Sequence, residues 1–229
     1  MNRKERFRAI TEQNPFAHLG DAVYEILYQS IIHLEIPTDA TLSDTALAKE
    51  LDISRTPIRG ALLRLQEDGL LVQSKGRSFR VTPLEKEECR HLMELRLAVE
   101  GQAAFWAAER ITAEQERELN QALDRYAAAC SAWDPDEIVD SDHAFHQIIV
   151  DAAHNPYLSE VYRQFSPRVL HYRYFLFRQK KQDLLSPIMA RSVRHHASVL
   201  HAIQLGLSGP AREQLDHDIS GMLDIVGSW

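Results

Sequence analysis

Cysteine is nearly absent from this 229-residue chain. Its only two, Cys89 and Cys130, show no CxxC spacing, which argues against a disulfide framework and suits free thiols in a reducing cytoplasm. No apolar run reaches the roughly 18 residues that a membrane span needs, and the N-terminus lacks the apolar centre of a signal peptide. A cytoplasmic protein without a membrane partner is therefore expected. Net positive charge is missing too: the formal charge is −7. That sum hides an uneven distribution, because residues 1–83 hold 11 Lys+Arg against 11 Asp+Glu and the whole excess of acid lies beyond them. Within residues 53–82, Arg55, Arg59, Arg64, Lys75, Arg77 and Arg80 face only Glu67 and Asp68. A local basic edge can steer nucleic acid whatever the sign of the whole chain. Internal repeats, low-complexity tracts, a Gly-rich phosphate loop and a nucleophile–base pair are all lacking.

What is present is mainly helical pattern. The composition, 45% hydrophobic and 26% charged, is that of a globular protein long enough for one large or two small domains. Residues 1–14 form a basic N-terminal arm in this reading, loosely held, with Arg3, Lys4, Arg6 and Arg8. Asn14-Pro15 signals a helix start, and an apolar stripe from Leu19 to Ile32 continues it until Pro37. Thr41-Leu42-Ser43 leads into a short helix with Ala46, Leu47 and Leu51 inward, and Asp52-Ile53 makes a tight turn. Ser54 can then cap a helix whose first turn holds Pro57. Ile58, Ala61, Leu62 and Leu65 make its apolar stripe, while Arg55 and Arg59, four apart, share a different face. Leu70–Ser74 and Ser78–Thr82 flank Lys75-Gly76-Arg77 as two short strands around a glycine turn. Three helices followed by a basic hairpin describe a winged helix-turn-helix over residues 15–83, and arginines at its helix N-terminus suit guanine edges or phosphates in a major groove.

Pro83 marks a boundary beyond which no strand signal occurs. Helices are expected at about 84–110, 113–132, 135–153, 156–181, 187–207 and 210–226, with Pro167 inside the fourth. The fold class is thus mainly α: a winged helix-turn-helix followed, over residues 84–229, by an all-α antiparallel bundle. Asp142 and His146 leave one helix face a turn apart and could chelate a single ion, although such a pair is also common as a solvated one. On the helix near 156–181, Phe165, Val169, Tyr172 and Leu176 set the core face. Some of Arg168, His171 and Arg173 could then line a polar pocket, with most of them expected at the surface or in dimer contacts.

The run Leu47-Ala48-x-x-Leu51-x-Ile53-Ser54-Arg55-Thr56-Pro57-Ile58-Arg59-x-Ala61-Leu62-x-x-Leu65-x-x-x-Gly69-Leu70 closely resembles the DNA-binding domain of the GntR family of bacterial transcription regulators. Glu94-Leu95-Arg96-x-x-x-Glu100, Asp142-x-x-Phe145-His146, Asn155-Pro156-x-Leu158 and His196-x-x-x-Leu200-x-Ala202-Ile203 resemble that family's FadR-type effector domain, known as FCD. Six helices rather than seven look more like its VanR-type subgroup. The resemblance implies a homodimer on a palindromic double-stranded operator and a bundle that binds a small metabolite, often around a metal ion. By its pattern Ser54, Arg55, Thr56 and Arg59 read the operator from the recognition helix, and Lys75, Gly76 and Arg77 meet the minor groove from the wing. Thr45 stands where many relatives carry an arginine, so one operator contact is missing or changed, and Gly60 stands where Glu or Ala is usual.

The same pattern makes His196 the third metal ligand, beside His195 where relatives usually carry Glu. The fourth position, normally histidine, falls on Asp218, with His217 one residue earlier. One residue along a helix is a rotation of about 100°, so His217 cannot simply replace a ligand at 218. Either Asp218 ligates, or the helix is shifted and His217 ligates, or the site is incomplete. Two aspartates would shift preference toward Mn or Fe, with Zn and Ni still able to bind. The resemblance also directs Arg96 into the cavity, where its fork would pair with a carboxylate effector; an intrahelical pair with Glu100 is the alternative. The expected function is a metabolite-responsive DNA-binding regulator. Two other readings stand beside it: a metal-dependent enzyme on the bundle, which leaves the winged head unexplained, and a DNA-binding protein whose bundle only dimerises.

Overall fold

The computed structural model describes residues 2–13, 18–74 and 78–227, with side chains as far as residue 223. Asn14-Pro15 and the hairpin tip Lys75, Gly76 and Arg77 lie outside the described residues. The chain divides into two compact units, Met1–Leu84 and Glu85–Trp229.

The first unit opens with a helix, α1 (Arg3–Gln13), where a loosely held arm was expected. Phe7 is buried, Arg3 pairs with Glu50 through two bonds of 2.9 and 3.0 Å, and Arg6 reaches Glu35 and the Ser30 hydroxyl. One aromatic anchor and two fork-shaped ion pairs dock a segment that looks merely basic in isolation. The helices α2 (Leu19–Ile32), α3 (Asp44–Leu51) and α4 (Arg55–Glu67) follow. Asp52 ends α3 in the left-handed region at φ 61°, which Asp tolerates better than most residues, and so turns the chain into α4. Ile58, Ala61, Leu62 and Leu65 are all buried, as their spacing predicts.

Two strands of the hairpin, β2 (Leu71–Gln73) and β3 (Phe79–Val81), pair antiparallel, with Leu71 opposite Val81. A further strand lies ahead of them. Residues Thr41–Leu42, expected only as a lead into α3, form β1 and pair with β3, Leu42 opposite Phe79, so that the sheet order is β1-β3-β2. Two residues are too few for a periodicity signal; only the partner strand makes them a strand.

The second unit consists of six helices joined by loops of two or three residues: α5 (Lys86–Arg110), α6 (Ala113–Ala132), α7 (Pro135–Ala152), α8 (Pro156–Gln179), α9 (Gln182–Gln204) and α10 (Ser208–Gly227). Local chemistry sets most starts. Thr112 and Gln115 form a capping box, Asp134 and Asn155 cap α7 and α8, and Pro135 and Pro156 occupy the first helical turn. The exception is α9, which starts five residues before Pro187 rather than at it. Its first residues, 182–184, are exposed, while Leu185 is fully buried and draws the turn onto the bundle. Helix α8 continues through Pro167, and all but one of residues 165–177 are buried. Arg168, His171 and Arg173 are therefore interior rather than surface groups. Gly101 on α5 faces Asp216 on α10 so closely that a side chain at 101 would require that carboxylate to shift. This close approach brings the inner face of α10 against α5.

Candidate functional site

The exposed N-terminal end of α4 is the first candidate. Ser54 stands at the N-cap with extended backbone, yet its side chain makes no capping hydrogen bond; the expected cap is corrected to an exposed hydroxyl. Arg55 and Arg59 remain 52% and 42% exposed, and Thr56 lies between them at the surface. Behind the arginines sits a residue that sequence pattern did not single out. Asp44, at the start of α3 and nearly buried, accepts a 2.7 Å hydrogen bond from Arg55 Nη2 and one of 3.2 Å from the Thr45 hydroxyl, with Arg59 Nη1 at 4.0 Å. The Arg55 hydrogen bond holds its carboxyl below the ordinary aspartate range. A shallow surface concavity is lined by Asp44, Arg55, Thr56, Arg59, Gly60 and Leu63. Nothing lies within 4 Å of where a Gly60 Cβ would stand. Two of the six local basic groups are engaged elsewhere: Arg64 pairs with Asp21 and lies 4.1 Å over the Tyr24 ring, and Arg80 donates to Asp39 at 3.0 Å.

The second candidate is buried in the bundle. Asp142 and His146 from α7, His196 from α9 and Asp218 from α10 each offer a ligand atom, and these atoms all lie within 4.8 Å of one another. His196 Nε2 is 3.2 Å from Asp218 Oδ2 and 3.6 Å from Asp142 Oδ1; His146 Nε2 is 3.4 Å from Asp218 Oδ2 and 3.6 Å from Asp142 Oδ2. A tetrahedral ion held by bonds of about 2.0–2.1 Å needs donors about 3.3–3.4 Å apart, so the spacing fits one shared cation. His146 Nε2 is buried without a well-formed hydrogen bond, an arrangement costly for a group left to itself. Ser192 Oγ donates to the other Asp218 oxygen at 2.5 Å, and the His196 ring stacks on Phe145 with centroids 4.2 Å apart, which fixes its orientation. His217 is exposed on the outer side of α10, its ring 5.9 Å from that of His195, and does not join the four.

Around this cluster stand three further charges. Arg96 and Glu100, 3% and 1% exposed, pair through Nε–Oε1 at 2.6 Å and Nη2–Oε2 at 3.0 Å. Arg96 is thus interior, with its fork engaged by Glu100 within the helix. Glu100 does more than balance Arg96: its Oε2 lies 2.7 Å from His146 Nδ1. That contact favours a proton on Nδ1 and turns Nε2 toward the cluster, as ligand histidines are commonly oriented. Although burial raises Glu100, Arg96 and His146 hold its carboxyl at about 2. Burial and Arg96 lower His146, but the Glu100 and Asp218 carboxylates outweigh them and its pKa is raised. Burial pushes His196 down. From α8, the Arg173 guanidinium lies directly on Asp142 Oδ2. The role of Glu100 leaves no trace in the sequence beyond its four-residue step from Arg96.

Residues 91–220 match the FCD domain, and residues 19–81 match the bacterial regulatory proteins of the gntR family. The chain is a GntR-family transcription regulator with an FCD domain. It resembles the HTH-type transcriptional repressor RspR of Escherichia coli K12, 27% identical over 194 residues that cover 85% of this chain and 82% of RspR. The HTH-type transcriptional regulator McbR of the same organism is 26% identical over 187 residues, 80% of each protein. Two solved structures share the fold: Escherichia coli McbR/YncC, TM-score 0.79 at 22% identity over 93% of this chain and 99% of that one, and a GntR regulator from Rhodococcus sp. RHA1, TM-score 0.73 at 22% identity over 92% and 98%. The DNA-binding unit of this GntR regulator is therefore the one that contains α4, and the buried cluster belongs to its FCD unit. None of its described helices is long and apolar enough to cross a membrane.

Proposed function

We propose that this regulator binds a palindromic operator as a homodimer and that a small carboxylate in the FCD unit, held with a divalent metal, changes its affinity for DNA. Ser54, Arg55, Thr56 and Arg59 on α4 would meet base edges and phosphates, and Lys75, Gly76 and Arg77 the neighbouring minor groove. The metal would be held by Asp142, His146, His196 and Asp218. Two carboxylates and two imidazoles make a comparatively oxygen-rich set, which favours Mn²⁺ or Fe²⁺ while still accepting Zn²⁺ and Ni²⁺. A bound ion supplies a Lewis-acidic position for one carboxylate oxygen of the effector. Glu100 would orient His146, and Arg96 would offer the effector its Nη1, which lies 3.9 Å from Met93 Sδ and is not used by Glu100.

The observation that carries the metal reading is the convergence of four buried donors from three helices, at the spacing one cation requires. Elemental analysis of the purified protein tests it. Near-stoichiometric metal in the wild type, lost in Asp142→Ala and His146→Ala, is expected; a folded wild type that takes up none of the four metals refutes it. For the DNA side, a gel shift on the protein's own upstream region should show Arg55→Ala weakened by at least about tenfold, the order of one lost bidentate contact. Unchanged binding would remove α4 from the operator. Sedimentation equilibrium decides the dimer.

A further inference from the structure

Arg173 is 4% exposed and belongs to none of the roles above. It projects from α8, a helix that supplies no member of the four-residue cluster, and its Nη1 meets Asp142 Oδ2 inside the bundle. Its Nε is buried without a hydrogen bond. The other interior arginine, Arg96, is matched by Glu100 through both carboxylate oxygens. Arg173 has no carboxylate of its own in this way; the one it touches is a candidate metal ligand. Without an ion, Asp142 and Asp218 would be two buried negative charges beside two imidazoles, and a guanidinium is the only fully charged cation next to Asp142 among the described residues. A planar, weakly hydrated cation tolerates such a site better than an ammonium does.

We propose that Arg173 is a built-in competitor for the metal: it neutralises Asp142 in the metal-free protein, and ion uptake displaces it from that carboxylate. The inference rests on the metal reading of the cluster. Displacement turns the guanidinium away from Asp142 while α8 stays in place, so that metal occupancy decides whether this buried cation is bound or released. The price is weaker metal binding than the four donors alone would give, because a unit charge must be moved aside within the same small volume.

The test is Mn²⁺ titration of the full chain, stripped with chelator, followed by calorimetry and by the spin-resonance signal of free Mn²⁺. Arg173→Met should bind Mn²⁺ about tenfold or more tightly than the wild type, since one unit charge at this range is worth at least a decade even in a wet interior. Arg173→Lys should stay near the wild type because the charge remains. Without metal, Arg173→Met should melt lower than the wild type, and added Mn²⁺ should restore it, as the ion replaces the lost charge. Equal or weaker Mn²⁺ binding by folded Arg173→Met overturns the competitor role. If that result comes with a wild type that binds Mn²⁺ and loses it in His196→Ala, the metal reading survives and only the role of Arg173 falls. If neither chain binds any Mn²⁺, both fall together. Binding by Arg173→Met alone would mean that no Mn²⁺ displaces Arg173 in the wild type, and would overturn the displacement. Should Arg173→Met not fold even with Mn²⁺, the neutral but polar Arg173→Gln decides by the same comparison.

Discussion

Asp44 shows how one buried carboxylate can govern an exposed surface. It holds Arg55 at 2.7 Å from behind, limiting the rotamers that arginine can offer to DNA. Asp44→Asn removes both this restraint and a negative charge near the phosphates. Non-specific DNA affinity should rise while the ratio of operator to random-sequence binding narrows; competition gel shifts that show neither change would leave Asp44 a purely structural residue. His171, at the centre of α8, is another residue whose burial has a measurable consequence. Its imidazole is fully buried with neither ring nitrogen hydrogen-bonded, and burial, with a smaller contribution from Arg168, pushes its pKa down to about 3. The unfolded imidazole takes up its proton near the ordinary value of 6.5. Between those values the unfolded chain binds more protons, so stability falls as pH falls through that window. By pH 5 the loss is about 2 kcal/mol from this group alone. Thermal melts of His171→Phe from pH 7 to pH 5 should therefore slope less steeply than the wild type; parallel slopes would show that His171 is not the titrating group.

At the level of elements, α4 combines a tightly packed back with a loose middle. Gly60 lies in the helix interior with open space around its missing Cβ, so Gly60→Ala meets no obstacle. The substitution should stabilise the first unit by about 1 kcal/mol, the helix-propensity difference between the two residues. Chemical denaturation measures it, and a neutral or destabilising result would show that helix propensity does not decide this position. The contrast is Gly101, where α10 approaches α5 and the carboxylate of Asp216 fills the space a Cβ would take. Helix starts were legible in the sequence wherever chemistry is local, as with the Thr112–Gln115 box, Asp134-Pro135 and Asn155-Pro156. They were not legible at α1, whose order depends on Phe7 and on glutamates 29 and 47 positions away, or at Pro187, which lies in the second turn of α9 and not at its start.

Over the whole molecule, the acidic excess belongs to the FCD unit, and the DNA-binding unit is electrically balanced. Operator binding must then depend on a few arginines and lysines placed toward phosphate, not on bulk charge. Raising salt from about 50 to 200 mM should weaken DNA binding by about 10³, as expected for roughly six neutralised phosphates. Arg59→Ala should flatten that dependence by about one phosphate per chain, whereas Arg64→Ala should leave it unchanged, because Arg64 is engaged with Asp21 and Tyr24. Equal effects of the two substitutions would show that general positive charge is what binds.

The sequence by itself determined the order of the helices α2 to α10 and of the hairpin strands, the apolar stripes that fold them and the family. Apolar periodicity and caps act within a few residues, and a motif such as Ile53–Leu65 records them directly. It also placed Asp142 and His146 on one helix face and put Asp218, rather than His217, in the fourth position, though only as one of three alternatives. Tertiary structure decided the rest: that the four side chains lie within a few ångströms, that Glu100 serves His146 as well as Arg96, that Asp44 restrains Arg55, and that Arg173 reaches Asp142. Each of these joins residues on different helices. Their distances depend on how whole apolar faces pack, and no local pattern contains that information.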